Sequence, residues 1–132
     1  MFDPSIINWR PTRHQGIFLN VLRRDEQTGD ASVLIRMQAG HGYPTHRHVG
    51  IEEVFIIQGG YRDSSGERHA GEYFINDAGS AHHPVALEGE DCIMIAFAHG
   101  GIELLKDARR GDEGTGEIGR QGEEEKENGS GD

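Results

Sequence analysis

The chain has 132 residues, which is enough for one compact domain and too few for two of typical size. It carries 13 Lys and Arg against 23 Asp and Glu, so its net charge of −10 disfavours a nucleic-acid-binding surface. No apolar run approaches the roughly 20 residues of a membrane span, and the N-terminus lacks the pattern of a secretory signal. The single cysteine, Cys92, excludes an intrachain disulfide. We therefore expect a cytoplasmic protein that contacts neither nucleic acid nor membrane.

The first 14 residues are apolar for a chain end. Phe2, Ile6, Ile7 and Trp9 give the segment this character. Because an unpaired sheet edge needs a cover, we expect 1–14 to form an arm that packs on a sheet edge of its own subunit or of a second one.

The region 15–110 has the pattern of short strands separated by turns. Apolar residues recur at every second position, as at Ile17, Leu19 and Val21, which is the period of a strand. A short helix is predicted only near Gly101–Arg110. Six segments are predicted to form strands: 16–24, 31–38, 52–58, 72–76, 83–87 and 92–98. This spacing indicates an all-β sandwich or barrel.

The composition changes sharply at residue 111. From 111 to 132 the chain has seven glycines, eight acidic residues, two basic residues and one aliphatic residue, Ile118. Such a segment cannot bury enough apolar surface to offset the entropy lost on ordering. We expect 111–132 to be a disordered, acidic, Gly-rich tail. The alternative is a segment that docks a partner or inhibits the domain.

Histidines concentrate in the predicted β region, where seven of the eight lie between residues 41 and 99. His46 and His48 are two residues apart, so on a strand both imidazoles leave from one face. On a helix the two side chains would diverge by roughly 200° and could not share an ion. The spacing therefore predicts a pair of metal ligands on a strand. The alternative is that these are ordinary surface histidines.

Glu52 shares the strand parity of the histidine pair but lies further along the chain. A straight strand would place it about 13 Å from His48, whereas ligands lie about 2.0–2.2 Å from a shared ion. The chain must therefore turn near 49–51, and we expect Gly50 to supply the conformational freedom for that turn. His82 follows another predicted turn and is the candidate for a third imidazole.

These residues belong to a longer pattern of fixed spacing. Gly40-x5-His46-x-His48-x3-Glu52-x6-Gly59 matches every fixed position of the first cupin motif. The chain therefore resembles the cupin superfamily. The resemblance implies a single-domain double-stranded β-helix, or jelly-roll barrel, across 15–110.

A second cupin motif is matched with two departures. Gly71-x5-Asp77-x-Gly79-x2-His82 has the spacing of the family pattern, but Asp77 stands where cupins have proline. Ala86 stands where they have asparagine. Both positions shape the turn and the neighbouring strand, so the prediction that His82 binds metal is retained.

Within the cupins, residues 46–63 and 71–84 most resemble the ChrR-like group. That group is named after the C-terminal cupin domain of a zinc-containing anti-sigma factor. The same residues are similar to Fe(II)-dependent dioxygenases that cleave acetylacetone. The family name by itself does not transfer the anti-sigma function to this chain.

The resemblance implies that one divalent metal ion is bound by His46, His48, Glu52 and His82. Fe²⁺ or Zn²⁺ suits this set, and Mn²⁺ or Ni²⁺ would also fit. One hypothesis is a metal-dependent, oxygenase-type enzyme acting on a small organic molecule, such as a diketone or an enol. The alternative is a non-catalytic module that senses a metal or a small effector. The resemblance also implies a homodimer.

Overall fold

Residues 2–105 are described by a computed structural model, and nearly all of their regular structure is β. Within this range the helical structure is one 3-10 turn, Pro4–Ile6. The strands in chain order are β1 Arg10–Pro11, β2 Ile17–Arg24, β3 Ala31–Met37, β4 His46–His48, β5 Glu52–Gln58, β6 Gly60–Asp63, β7 Gly66–His69, β8 Tyr73–Asn76, β9 Ala81–His82, β10 Val85–Ala86, β11 Cys92–Ala98 and β12 Ile102–Leu104. No helical segment of the described residues is long and apolar enough to cross a membrane.

The strands form one large sheet and two small ones. The large sheet has the order β1-β2-β3-β11-β5-β8, and the small sheets have the orders β10-β6-β7 and β12-β4-β9. The pairings between these strands are antiparallel. Strands far apart in sequence, such as β3 and β11, are neighbours in the sheet. The predicted all-β jelly roll is confirmed.

The core lies between the large sheet and the small sheet that contains β6. Strand β5 illustrates how the sequence directs residues into it, because Val54 and Ile56 are buried while the intervening Phe55 is exposed. This is the period-two pattern of a sheet with one face on the core. The buried cluster consists of Ile17, Met37, Val54, Ile56, Tyr61, Phe74, Ala86, Cys92, Met94 and Ala96. Cys92 is part of this core, and burial raises the pKa of its thiol to about 12, so it is an inert apolar side chain.

Each of the six predicted strand segments contains a strand, but the predicted helix is wrong where the structure describes it. Ile102–Leu104 form β12, which pairs with β4. Gly100 and Gly101, just before it, have φ of 84° and 85°, which is incompatible with a helix start. Pairing with β4 outweighs the weak helical pattern of this segment. The rest of the predicted helix and the whole predicted tail, 111–132, lie outside the described residues.

The N-terminal segment packs on the sheet of its own chain. Strand β1 pairs with β2, and the Asn20 side chain donates to the Asn8 carbonyl at 3.0 Å. The Arg36 guanidinium lies 5.6 Å from the centre of the Trp9 ring. Trp9 therefore lies against Arg36 of β3 in the same chain, whereas Phe2 and Ile6 are exposed.

Gly59, between β5 and β6, should be the least replaceable glycine of the fold. Its φ is +69°, and a Cβ there would lie 2.5 Å from the Asp91 carbonyl oxygen. We expect Gly59→Ala to lower the free energy of unfolding by about 2–4 kcal/mol, from left-handed strain and overpacking together. Gly71→Ala is the matched control, because φ is +94° and nothing lies within 4 Å of its Cβ. Urea unfolding should show a loss of about 1–2 kcal/mol for the control; equal losses would contradict the clash.

Candidate metal centre

The two histidines of the H-x-H pair project from β4 into the barrel. His46 and His48 are buried, whereas Arg47 between them is exposed. Strand β4 pairs with β9 so that His46 lies opposite His82. The two-residue period of β4 directs His46 and His48 to the same side, and the pairing of β4 with β9 adds His82. The three imidazoles are therefore close together. This is the arrangement that the sequence predicts.

Glu52 returns to the histidines after a tight connection between β4 and β5. Its Oε1 lies 3.2 Å from His48 Nε2, so the predicted turn exists. The expected reason for Gly50 is wrong, however, because its φ is not in the positive region. Instead, a Cβ on Gly50 would lie 2.3 Å from the His99 carbonyl oxygen. Glycine is needed there for the close approach of two backbone segments.

The metal-binding atoms of the three histidines converge on one small volume. One ring nitrogen from each of His46, His48 and His82 lies within 4.8 Å of the other two. His46 Nε2 and His82 Nε2 are 3.1 Å apart. For ligand bonds of about 2.1 Å, neighbouring ligands lie about 3.0 Å apart at right angles and about 3.4 Å apart in a tetrahedron. The spacing thus fits ligands of a single ion.

The other ring nitrogens fix the tautomer of each histidine. His46 Nδ1 is 2.9 Å from the Pro44 carbonyl oxygen, and His82 Nδ1 is 2.8 Å from Asp63 Oδ2. His48 Nδ1 lies 3.1 Å from the Ser80 carbonyl oxygen and 3.0 Å from its Oγ, whose hydrogen is donated to the Asp77 carbonyl. Since each Nδ1 faces an acceptor, each Nδ1 carries the hydrogen.

It follows that the three Nε2 atoms present lone pairs to one another. His48 Nε2 is buried and has no hydrogen-bond partner within the described part of the chain. Burial, reinforced by His82, lowers the pKa of His46 to about 3, so this imidazole is neutral. Burial is also the largest cause that lowers the pKa of His82. Converging lone pairs beside a carboxylate repel one another unless a cation lies between them, so these residues fit a divalent metal.

The carboxylate of the set is ionised despite its burial. Burial raises the pKa of Glu52, whereas a hydrogen bond and positive charge at His48, positive charge at His46 and the Asn76 amide lower it, and the net shift is below its usual value. The histidine contributions require a cation at Nε2, which is the position that a metal ion would take in place of a proton. Asn76 Nδ2 donates to Glu52 Oε1 at 3.0 Å. The amide therefore orients the carboxylate, and three imidazoles with one carboxylate form a mixed N/O ligand set suited to a divalent ion.

Asp63 is a functional residue that sequence analysis missed. It is the last residue of β6, and its Oδ2 accepts from His82 Nδ1 at 2.8 Å. Burial works against ionisation of Asp63, but its hydrogen bonds with His82 and Ser65 hold the pKa of the carboxyl below its usual value. A carboxylate behind a ligating imidazole orients the ring and raises its basicity. Asp63 is in β6 and His82 is in β9, which belong to different sheets. Their contact depends on how the sheets pack, so no sequence spacing predicts it.

Removing the Asp63 charge should weaken metal binding without abolishing it. We expect Asp63→Asn to lower the affinity for Zn²⁺ by about 10- to 100-fold, because the amide replaces an anionic acceptor behind His82. Asp77→Asn is the control, since the Asp77 side chain is exposed. Competition with a chromogenic zinc chelator measures both. Equal affinities in the two variants would contradict the role of Asp63.

Glu53 and His83, each next in sequence to a proposed ligand, lie outside the centre. Glu53 accepts from the Tyr73 hydroxyl at 2.9 Å and lies 3.1 Å from His99 Nε2, on the outer face of β5. His83 Nδ1 contacts the Tyr43 carbonyl oxygen at 2.6 Å. None of these side chains joins the group formed by the three histidines.

Comparisons with known proteins identify the family to which the chain belongs. The model of the ChrR cupin-like domain matches residues 1–102. The anti-sigma-E factor ChrR of Cereibacter sphaeroides is 38% identical over 63 residues, which are 48% of this chain and 30% of that protein. The chain therefore spans about a third of the length of this curated relative.

Two solved structures extend the comparison. The complex of Rhodobacter sphaeroides SigE with the anti-sigma ChrR matches with a TM-score of 0.62 and 32% identity, over 70% of this chain and 48% of that chain. An acetylacetone dioxygenase from Acinetobacter johnsonii matches with a TM-score of 0.66 and 19% identity, over 82% of this chain and 77% of that chain. The second likeness concerns the fold alone. Since the family model covers most of its length, the chain belongs to the ChrR cupin-like domain family.

Proposed function

We propose that the chain binds one divalent metal ion through His46, His48, Glu52 and His82 and acts as an oxygenase-type enzyme on a small diketone or enol. The observation that carries the proposal is the buried His48 Nε2, which has no hydrogen-bond partner among residues 2–105 and lies 3.2 Å from the Glu52 carboxylate. Retaining such an atom in a barrel interior costs free energy unless something binds there.

An enzyme requires a path from solvent to its metal. The His48 side chain is 1% exposed, whereas the Glu52 and His82 side chains are 11% and 10% exposed. We therefore expect a substrate to approach past Glu52 and His82, which are the less shielded of these ligands. Four protein ligands also leave a metal that prefers six, such as Fe²⁺, with exchangeable positions.

The charge of the centre favours an anionic ligand. A bound divalent ion supplies Lewis acidity and, in the case of Fe²⁺, oxygen chemistry. Glu52 contributes one negative charge, so a divalent ion with three imidazoles and this carboxylate would carry a net charge of about +1. The Asp63 carboxylate behind His82 offsets that charge at a greater distance from the ion. An enolate, which is a β-diketone without its acidic proton, is of complementary charge. The chain's own residues thus orient the ligands and select the charge of the substrate.

Oxygen consumption by the Fe²⁺-loaded full chain tests this function. With acetylacetone as the substrate, we expect oxygen uptake that depends on both iron and the diketone. The His46→Ala variant should lose the activity, because one of the four ligands is missing. Absence of uptake by an iron-loaded chain, with acetylacetone and with bulkier β-diketones, would contradict the enzymatic proposal.

The second candidate is a non-catalytic module that responds to a metal or to a small effector. The identity of 38% with an anti-sigma factor favours it. The module requires metal binding without turnover and a surface that changes when the metal is bound. Hydrogen exchange of the full chain with and without Zn²⁺ would then change at exposed backbone of β12, which pairs with the ligand strand β4. If zinc changed hydrogen exchange only at the four metal-binding residues, and the iron-loaded chain turned over substrate, the enzyme would be favoured.

A further inference from the structure

Tyr61 occupies the inner face of β6 beside the metal centre. It lies two residues before Asp63, so both side chains leave the strand on the same side. The Tyr61 residue is only 2% exposed and is among the largest fully buried side chains. Its strand is held on both sides, by pairing with β7 and β10. The backbone position of this phenol is therefore fixed.

The Tyr61 ring is also fixed by its neighbours. Its centre lies 6.0 Å from that of the His82 ring with an interplanar angle of 72°. On another side it lies 6.1 Å from the Phe74 ring at 77°. Edge-to-face contacts of this kind restrain both rings. The phenol is thus packed directly against one of the proposed metal ligands.

The Tyr61 residue is almost completely buried, and no hydrogen bond joins its hydroxyl to any of residues 2–105. Among the described residues, however, the fully enclosed polar side-chain atom without a partner is His48 Nε2 and not the Tyr61 oxygen. The Tyr61 hydroxyl therefore borders open space while its ring is packed against His82. A phenol is a hydrogen-bond donor at neutral pH, and a phenylalanine would fill the same space without that donor.

We propose that the Tyr61 hydroxyl donates a hydrogen bond to an anionic oxygen of a ligand bound at the metal centre. The inference rests on the proposed metal centre and extends it, because it assigns a residue that selects oxygen anions. A ligand that reaches the metal through nitrogen and has no oxygen gains nothing from this hydroxyl. Tyr61 is therefore a specificity-determining residue rather than a metal ligand.

Calorimetric titration of the Zn²⁺-loaded full chain tests this assignment, because zinc permits binding without oxidation. The probes are acetylacetone, sodium acetate and imidazole. We expect Tyr61→Phe to weaken binding of the two oxygen anions by about 10- to 100-fold, the effect of one hydrogen bond to a charged group. Imidazole affinity and zinc per chain should not change. Tyr73→Phe is the matched control, since the Tyr73 hydroxyl is bound to Glu53 on the outer face.

The outcomes separate the inference from the proposed function. Unchanged affinity of Tyr61→Phe for acetate and acetylacetone would overturn the inference and leave the metal centre in place. Equal weakening of all three probes would also overturn it, since Tyr61 would then be structural. Tyr61-dependent acetate binding without any binding of acetylacetone would support the inference and contradict the diketone substrate. A zinc-loaded chain that binds neither oxygen anion would overturn both.

Discussion

Replacing His48 with alanine is expected to cause the largest loss of metal affinity of any single substitution in the chain. His48 is the most deeply buried of the three histidines, and its Nε2 has no partner within the described residues. The substitution removes a ligand itself, so the loss of Zn²⁺ affinity should exceed the roughly 10- to 100-fold that follows from removing an outer-shell partner. Equilibrium dialysis followed by elemental analysis measures it.

His69→Ala is the matched control for this experiment. The His69 side chain is 54% exposed, and its Nε2 lies 3.2 Å from Glu67 Oε1 on the surface of β7. The substitution removes one imidazole and leaves the barrel interior unchanged. We expect wild-type zinc content in this variant. If His48→Ala kept its zinc while His69→Ala lost it, the assignment of the ligands would be wrong.

Removing the metal is expected to lower the thermal stability of the chain by a large margin. Without a cation, three lone pairs and a carboxylate converge in a buried volume. A ligand present at 100 times its dissociation constant stabilises a protein by about 2.7 kcal/mol, which for a domain of about 100 residues raises Tm by roughly 10–20 °C. Scanning calorimetry before and after chelation, and again after zinc is restored, measures the shift.

The His46→Ala variant provides the control for the thermal experiment. If the stabilisation comes from this centre, zinc should raise the Tm of the variant by much less than that of the wild-type chain. An equal increase in both would show that zinc acts at exposed sites such as the His69 and Glu67 pair. That result would contradict the proposed centre.

The histidine pair and the architecture were predictable because both depend on periodicity. A strand's two-residue period directs His46 and His48 to one face, and the same period defines the inward residues of β5. The six predicted strand segments were found for this reason. The turn that brings Glu52 Oε1 within 3.2 Å of His48 Nε2 was predictable as well, since a straight chain would have carried Glu52 too far from the histidines.

The errors arise where tertiary pairing decides the local structure. Strand β12 was predicted as a helix, because its three residues carry no period and its conformation depends on pairing with β4. Gly50 was explained by backbone freedom, whereas the structure shows a close approach to the His99 carbonyl. Neither the contact between Gly50 and the His99 carbonyl nor the pairing of β12 with β4 can be predicted from the neighbouring residues in the sequence.

The residues that support the ligands were unpredictable for the same reason. Each of these residues contacts one proposed ligand directly: Asp63 contacts His82, Asn76 contacts Glu52, and Ser80 contacts His48. The two members of each pair are far apart in sequence. Each is a residue type that is common in turns and at strand ends, so its identity does not mark it as a functional residue. Their roles follow from sheet register, which only the folded chain defines.

Anomalous diffraction from crystals of the Zn²⁺-loaded full chain, measured on both sides of the zinc absorption edge, tests the metal centre most directly. Our account predicts one anomalous peak per chain, at about 2.0–2.2 Å from the Nε2 atoms of His46, His48 and His82 and from the Glu52 carboxylate. A zinc-loaded crystal with no peak among these four side chains, or with its strongest peak at surface histidines, would contradict it.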